Sequence, residues 1–229
     1  MKLARPDVFH PRIVLAGCPQ QVSGDGDDDG LVAALRKRGL HARWLSWDDP
    51  ETLSADLVIL RATRDHSDRI DEFLAWTTRV RHLLNAPAVV AWNVGKGYLA
   101  DLSRRGVPTA SGGAKAETAL VFVGGKSSHA FTENGCVEPD FEIWDVGFAA
   151  LDAAAAHLEV TSREFLYARA DIVGGIDDPR LARLNLIDPS LGWRHLDRET
   201  RDLKQREFSR AVVSALDRLG LGPLSHRRP

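Results

Sequence analysis

The chain lacks long apolar runs and has few cysteines. No segment approaches the roughly 18 apolar residues needed to span a membrane, and the first ten residues, M-K-L-A-R-P-D-V-F-H, contain no apolar run of signal-peptide length. The two cysteines, Cys18 and Cys136, lie far apart and form no metal-spaced pair, so we expect reduced thiols. These absences predict a cytoplasmic protein that does not bind membranes.

An excess of charge of one sign is also absent. Thirty Lys and Arg residues stand against 32 Asp and Glu, giving a net charge of -2, which provides no overall attraction to nucleic acid. Of the 229 residues, 44% are hydrophobic, which is enough for one large domain or two small ones. We therefore expect a small-molecule ligand or a protein partner, including a second copy in a homodimer, and no binding to nucleic acid.

The N-terminal half alternates between predicted strands and helices. The strands cover 12–17, 41–47 and 56–61, and the helices cover 29–38, 67–82 and 96–105. Such alternation predicts a mainly parallel sheet of about four strands, with ligands favoured at the carboxyl ends of the strands.

An acidic stretch, G-D-G-D-D-D-G, precedes the first predicted helix. Its Asp25, Asp27 and Asp29 have the opening spacing of a calcium loop, but Arg36 stands at the closing position, where a glutamate is needed. Since acids are favoured at helix N-termini, we interpret the stretch as a solvated helix start.

After residues 110–116 the pattern changes to antiparallel strands over 120–124 and 128–132. An alanine-rich helix over 148–158, a hairpin over 165–188 and a helix over 198–219 follow. The segment V-G-G-K-S-S (123–128) lacks the first glycine of a phosphate loop, so it is interpreted as a two-glycine hairpin turn.

The 165–188 hairpin carries polar residues where apolar ones are expected. Because strand side chains alternate between faces, Tyr167, Arg169 and Asp171 share one face. Folding near Asp177 places Asp171 roughly opposite Arg183 and Asn185. The hairpin thus gathers a carboxylate, an amide and two guanidinium groups, which could hold a phosphate or a metal.

The strands Y-A-R-A-D-I-V (167–173) and L-N-L-I-D-P-S-L (184–191) resemble the C-terminal part of the ATP-grasp family of ATP-dependent carboxylate–amine ligases. In that family an Arg-x-Asp strand precedes a Glu-x-Asn strand, and their acids hold the magnesium ions of ATP. Other motifs follow the family's order: L-V-I-L-R-A-T-R-D-H (57–66), D-E-F-L-A-W (71–76), W-N-V-G-K-G-Y-L (92–99), G-V-P-T (106–109) and E-T-A-L-V-F-V-G-G-K-S-S-H-A (117–130).

This resemblance implies an α/β fold, with a parallel Rossmann-like N-terminal lobe over 1–109 and an antiparallel ATP-grasp-like C-terminal lobe over 117–229. Between them the family has a subdomain with a strand lysine, a glycine-rich phosphate loop and an adenine-pocket strand. Here only A-S-G-G-A-K-A (110–116) intervenes. We therefore expect a truncated protein without most of the ATP clamp, in which 110–116 is an exposed connection with no strand of its own.

The resemblance also implies site residues, although none is assigned a catalytic role. The implied phosphate-binding residues are Arg169, His129 and Lys96. The implied substrate-binding residues, which also lie at predicted strand ends, are Arg61, Thr63, Asp65 and Asn93. The implied metal ligands are Asp171, Asn185 and Asp188. ATP and Mg²⁺ are the implied cofactors, and without the clamp neither is assured.

The metal residues can be aligned in two registers. In the first, Arg183-x-Asn185 takes the Glu-x-Asn position opposite Asp171; in the second, Asp188-x-Ser190 supplies the acid. We favour the first because it follows from strand pairing. Arginine cannot bind magnesium, so this register predicts an ion pair between Asp171 and Arg183 where the family binds metal.

Two functions are compatible with these features. The favoured hypothesis is a degenerate ATP-grasp-like protein with weak or no ligase activity and a remaining ligand-binding or interaction role, because phosphoryl transfer depends on positioning and electrostatics that the clamp supplies. The alternative is an active ATP/Mg-dependent ligase that joins a carboxylate to an amine through an acyl phosphate.

Overall fold

The computed structural model describes residues 10–95, 97–110 and 116–222, and its first sheet is parallel. Its strands are β1 (Arg12–Gly17), β2 (His41–Ser46), β3 (Leu57–Ala62) and β4 (Leu83–Leu84). The strand order is β2-β1-β3-β4, which confirms the predicted four-stranded parallel sheet.

The described part of the N-terminal half contains four α-helices, and three of them are shorter than the helices predicted from the sequence. They are α1 (Leu31–Arg36), α2 (Ile70–Thr77), α3 (Pro87–Asn93) and α4 (Tyr98–Arg104). Residues Arg64–Ser67, the last of which is the predicted first residue of α2, form a separate 3-10 helix. Helix α3 was not predicted; it begins at Pro87, whose fixed φ suits the first helical position.

The second sheet is antiparallel. Its strands are β5 (Thr118–Val123), β6 (Lys126–Thr132), β7 (Gly135–Val137), β8 (Tyr167–Val173) and β9 (Arg180–Asn185). The strand order is β7-β6-β5-β8-β9. Gly124 and Gly125 join β5 to β6 with φ values of 58° and 74°, which confirms the two-glycine turn. The change from a parallel to an antiparallel sheet therefore occurs as predicted.

Two long helices pack with the antiparallel sheet: α5 (Phe141–His157) and α6 (Arg198–Arg218). Helix α5 begins seven residues before the predicted helix, since residues 141–147 extend it. A Cβ atom at Gly147 would lie 2.8 Å from side-chain atoms of Leu120 and Phe122. The absence of a side chain at Gly147 therefore allows α5 to approach the sheet closely.

The two sheets share buried contacts. The hydroxyl of Tyr167, on β8, lies 2.7 Å from the carbonyl oxygens of both Leu60 and Ile187. The side chain of Asn85 donates to the carbonyl oxygens of Tyr167 and Leu186. One hydrophobic cluster contains residues from β1 and β3 as well as from β8 and α6.

Within the described ranges, no helix is both long and apolar enough to cross a membrane.

The connection predicted over 110–116 can be compared with the structure only at its two ends, because residues 111–115 lie outside the described residues. Just before it, the Ala110 amide donates to the carbonyl oxygen of Leu181 at 2.8 Å. The division into 1–109, 110–116 and 117–229 stays a prediction.

Candidate functional site

Asp171 lies at the centre of a cross-strand ion pair in the antiparallel sheet. Its Cα is opposite that of Arg183, while Arg169 is opposite Asn185. Arg169 donates from Nε and Nη2 to the two carboxylate oxygens of Asp171, at 2.7 and 3.0 Å. Arg183 donates from Nε to Oδ2 at 2.9 Å. Both oxygens of this carboxylate, which is 1% exposed, are therefore bound by guanidinium groups.

A cavity of about 330 Å³ lies beside this ion pair. The Arg183 side chain in its wall is 58% exposed, and its terminal nitrogens make no hydrogen bond to another described residue. Arg169 is held more firmly, since Nη1 donates to the Ser190 carbonyl oxygen at 3.2 Å. The remaining lining residues are Ala116, Glu117, Ala119, Phe131, Thr132 and Glu133. Arg183 thus offers free donors to a small anion in the cavity.

The donors around Asp171 do not fit a magnesium ion. Magnesium requires several oxygen ligands in octahedral geometry, whereas Arg183 stands opposite Asp171 and both Asp171 oxygens accept from cations. The Asn185 side-chain oxygen accepts from the Ile187 amide at 3.0 Å. Among the residues that the structure describes, no group of three His, Cys, Asp or Glu side chains could hold a metal. This arrangement supports the first of the two registers.

Asp188 contacts the parallel sheet. Its carboxylate accepts from the Thr63 hydroxyl at 3.1 Å and lies 3.9 Å from Nδ1 of His66. Burial raises the pKa of Asp188, and the nearby His66 opposes this effect. The structure therefore brings together a predicted metal ligand and a predicted substrate residue, Asp188 and Thr63, in a contact that the sequence did not predict.

Arg61, predicted to bind substrate, is enclosed by protein. Its side chain is 0% exposed and donates from Nε and Nη2 to Oδ1 of Asp28, at 3.1 and 2.9 Å. The guanidinium carbon lies 5.1 Å from the ring centre of Tyr167 and 5.9 Å from that of Trp193. Nη1 has no hydrogen-bond partner among the described residues. The charge of Arg61 is thus compensated inside the protein by Asp28.

The interpretation of the acidic stretch as solvated is wrong for Asp27 and Asp28. Both are buried, and Asp27 accepts from the amides of Gly192 and Arg194, each at 3.0 Å, and from the Ser190 hydroxyl. Helix α1 begins after Gly30, with no side-chain cap. The acids are buried because they pair with groups far away in sequence.

The sequence did not predict that Asp27, Asp28 and Arg194 form a polar cluster with Arg61. One signal was present, since Arg61 interrupts the otherwise apolar strand L-V-I-L-R-A. A buried arginine requires a nearby counter-charge, which the sequence alone did not locate.

Asp65 and Asn93, which are also predicted to bind substrate, form hydrogen bonds with other parts of the protein. Asp65 accepts from the indole nitrogen of Trp47 at 2.9 Å. Asn93 is buried, donates to the Leu184 carbonyl oxygen and accepts from the Leu186 amide, at 3.0 and 2.8 Å. Asn93 thereby attaches α3 to the end of β9. A role of either residue in substrate binding stays a prediction.

The predicted phosphate-binding residues do not form one group in the described part of the chain. His129 is 7% exposed, and its Nε2 donates to the Leu191 carbonyl oxygen at 2.7 Å. Burial lowers its pKa from the ordinary value of 6.5, which favours the neutral ring. His129 does not line the cavity beside Asp171, whereas Arg169 does. Lys96 lies outside the described residues.

Sequence comparison relates the N-terminal part of the chain to a known family. Residues 13–85 match the family described as D-cycloserine synthetase DcsG, N-terminal domain. The cycloserine biosynthesis protein DcsG of Streptomyces lavendulae is 35% identical over 89 residues, which are 37% of this chain and 30% of that protein. The match therefore spans less than a third of the relative's length.

Comparison with solved structures covers most of the chain. The crystal structure of D-cycloserine synthetase DcsG has a TM-score of 0.73 at 21% identity, covering 87% of this chain and 99% of that one. D-alanine–D-alanine ligase from Bacillus anthracis gives 0.62 at 12% identity, with 92% and 98% covered. The ATP-grasp ligase PsnB, solved with a minimal precursor, Mg and ADP, gives 0.59 at 14%, with 90% and 98% covered.

These relatives share the mixed architecture seen here, a parallel sheet followed by an antiparallel one. The resemblance inferred from the ordered motifs is therefore confirmed: the chain has the fold of the ATP-grasp ligases, and part of its sequence is similar to that of the cycloserine biosynthesis protein DcsG.

Proposed function

We propose that this chain is a degenerate ATP-grasp-like protein with little or no ligase activity, which retains a ligand-binding role at the cavity beside Asp171. The observation that carries the proposal is the binding of both Asp171 oxygens by Arg169 and Arg183. A metal ion at Asp171 would have to displace two guanidinium groups from a buried carboxylate and accept a cation as its neighbour. Electrostatic repulsion from Arg169 and Arg183 therefore disfavours the binding of a metal ion at Asp171.

The length of the chain supports a missing clamp. Since 89 residues are 30% of the DcsG relative, that protein has about 300 residues, compared with 229 here. The structural match nevertheless reaches across 99% of the DcsG chain. The two lengths and this match support a chain that is shorter inside the matched span, as a deletion at 110–116 would make it. Without a clamp, the positioning that phosphoryl transfer needs is lost.

The ligand best suited to the cavity is a small carboxylate or phosphate compound. Arg183 has terminal donors that Asp171 does not use, and guanidinium binds such anions through paired hydrogen bonds. The Phe131 ring, 5.9 Å from the Arg169 guanidinium carbon, adds an apolar surface. Glu117 in the same lining limits the net positive charge, so a ligand of low charge is favoured over a triphosphate.

The alternative function is an active ligase that forms an acyl phosphate from a carboxylate and ATP. It is favoured by the ATP-grasp fold and by the presence of Asp171, Asn185 and Asp188. This alternative requires Mg²⁺ to displace the arginines when ATP binds. A direct binding measurement distinguishes the two functions.

Isothermal titration calorimetry with MgATP, with acetate and with inorganic phosphate tests the proposal. We expect no micromolar MgATP affinity, and weak binding of at least one small anion that Arg183→Glu abolishes. Arg180→Glu is the matched control, because Arg180 is an exposed arginine on the same strand that pairs with Asp178. Micromolar MgATP affinity that disappears in Asp171→Asn would establish the ligase instead.

A further inference from the structure

A second cavity, of about 570 Å³, lies between the β5–β6 turn, the 3-10 helix Ser162–Glu164 and helix α6. We call it the α6 groove. The described residues that line it include five cationic residues and one acid, and no aromatic residue. The cationic residues are Lys126, Arg163, Lys204, Arg210 and Arg218. None of them belongs to the site around Asp171.

Most of the charge in the α6 groove is not neutralised. The single acid, Glu207, accepts from Lys204 at 3.1 Å. Among the described residues, the side chains of Lys126, Arg163 and Arg210 have no ion-pair partner. This local excess of positive charge contrasts with the net charge of -2 for the whole chain. The groove therefore attracts anions, whereas the protein as a whole does not.

The walls of the groove are held in place by close packing. A Cβ atom at Gly125 would lie 2.8 Å from backbone atoms of Ser162, so the β5–β6 turn directly contacts the 3-10 helix. The opposite wall is α6, a continuous helix of 21 residues. Lys204 and Arg218 are 14 positions apart on it, a distance of about 21 Å at 1.5 Å per residue. One phosphate cannot contact cations so far apart.

We propose that the α6 groove binds an extended acidic peptide segment of a partner protein. About six residues of extended chain, at roughly 3.3 Å each, match the distance between Lys204 and Arg218. Val123 and Ala211 add apolar surface for occasional apolar side chains of the peptide. Single-stranded nucleic acid is a poorer match, because its binding sites combine cations with aromatic residues on which bases stack.

The terminal segments of this chain are not suitable occupants. Residues 223–229, P-L-S-H-R-R-P, contain two arginines and no acid. Residues 1–9, M-K-L-A-R-P-D-V-F, contain two cations and one acid. Charge complementarity therefore favours a different chain.

Fluorescence anisotropy on the full-length protein tests this proposal. The probe is a labelled octapeptide of glutamate residues with leucine at every third position. We expect saturable binding that weakens as sodium chloride is raised from 50 to 500 mM, because salt screens exposed charges. The double variant Lys126→Glu/Arg210→Glu should bind about tenfold or more weakly, since both cations become repulsive. Arg206→Glu, an exposed arginine of α6 outside the groove, should bind as the native protein does.

Three outcomes would overturn the proposal. The first is no binding of the peptide at 50 mM salt. The second is binding that the double variant and Arg206→Glu weaken equally, which would show a nonspecific charge effect. The third is tighter binding of a single-stranded oligonucleotide of eight nucleotides than of the peptide, which would assign the groove to nucleic acid. Circular dichroism of each variant confirms that it is folded.

Discussion

Asp28 and Asp171 are both buried and both bind arginine, but their surroundings differ. Asp28 pairs with Arg61, whose side chain is 0% exposed and packed against Tyr167 and Trp193. Asp171 pairs with Arg169 and Arg183, and the Arg183 side chain is 58% exposed beside a cavity. The first arginine depends on the protein for its counter-charge, whereas the second can also interact with water or a ligand. The comparison separates an ion pair that holds the fold from one that can take part in binding.

The largest effect should come from Asp28→Asn. This change leaves Arg61 buried without its main counter-charge, and breaking a buried pair in this way costs about 3–5 kcal/mol. The free energy of unfolding, measured by urea denaturation, should fall by that amount. Asp29→Asn, at an exposed neighbouring position, should change it by less than about 0.5 kcal/mol. Equal losses in the two variants would show that the Arg61–Asp28 pair is not essential to the fold.

Asp171→Asn should have a smaller effect, a loss of about 1–3 kcal/mol. The amide retains one acceptor, and Arg183 can turn toward solvent, so the remaining charge is hydrated. The same urea experiment measures this loss. A loss as large as that of Asp28→Asn would contradict the distinction between the two sites.

Arg183→Ala should cost at most about 1 kcal/mol, because partly exposed ion pairs contribute little and Arg169 still binds both Asp171 oxygens. The variant should nevertheless lose affinity for small anions in calorimetry. The matched control is Arg180→Ala on the same strand, which should keep that affinity. Strong destabilisation by Arg183→Ala with unchanged anion binding would assign a structural role to Arg183.

The smallest effect concerns pH, through Asp27 in the same polar cluster as Asp28. Burial acts to raise the pKa of Asp27, but hydrogen bonds from Arg194 and Ser190 outweigh it, so the pKa is lowered from 3.8. The stabilisation that Asp27 contributes is therefore fully present above the pKa that this carboxyl has in the unfolded chain, about 4. It is lost as the pH falls below that value toward the lower pKa of the folded protein. The free energy of unfolding, measured from pH 6 to pH 3, should decline less steeply in Asp27→Asn. Parallel curves for the two proteins would exclude this linkage.

Much of the site around Asp171 in the antiparallel sheet could be predicted, because the geometry of a hairpin depends on residues that are near one another in sequence. Side-chain alternation and a single turn were enough to place Asp171 opposite Arg183. The partner of Arg61 could not be found in this way, since Asp28 lies 33 residues away in a loop without regular periodicity. The α6 groove was also missed. Its cations come from a turn, a 3-10 helix and a long helix, whose packing no local pattern specifies.

The buried hydroxyl of Tyr167 has a consequence for folding cooperativity. It lies within hydrogen-bond distance of three carbonyl oxygens: that of Leu60 in β3, that of Leu84 at the end of β4, and that of Ile187, which follows β9. Opening a hinge between the sheets would expose these polar groups together with the apolar cluster around them, at the cost of their burial. The two sheets should therefore unfold in a single transition and resist rigid-body closure around a ligand, so that binding would depend on a preformed shape.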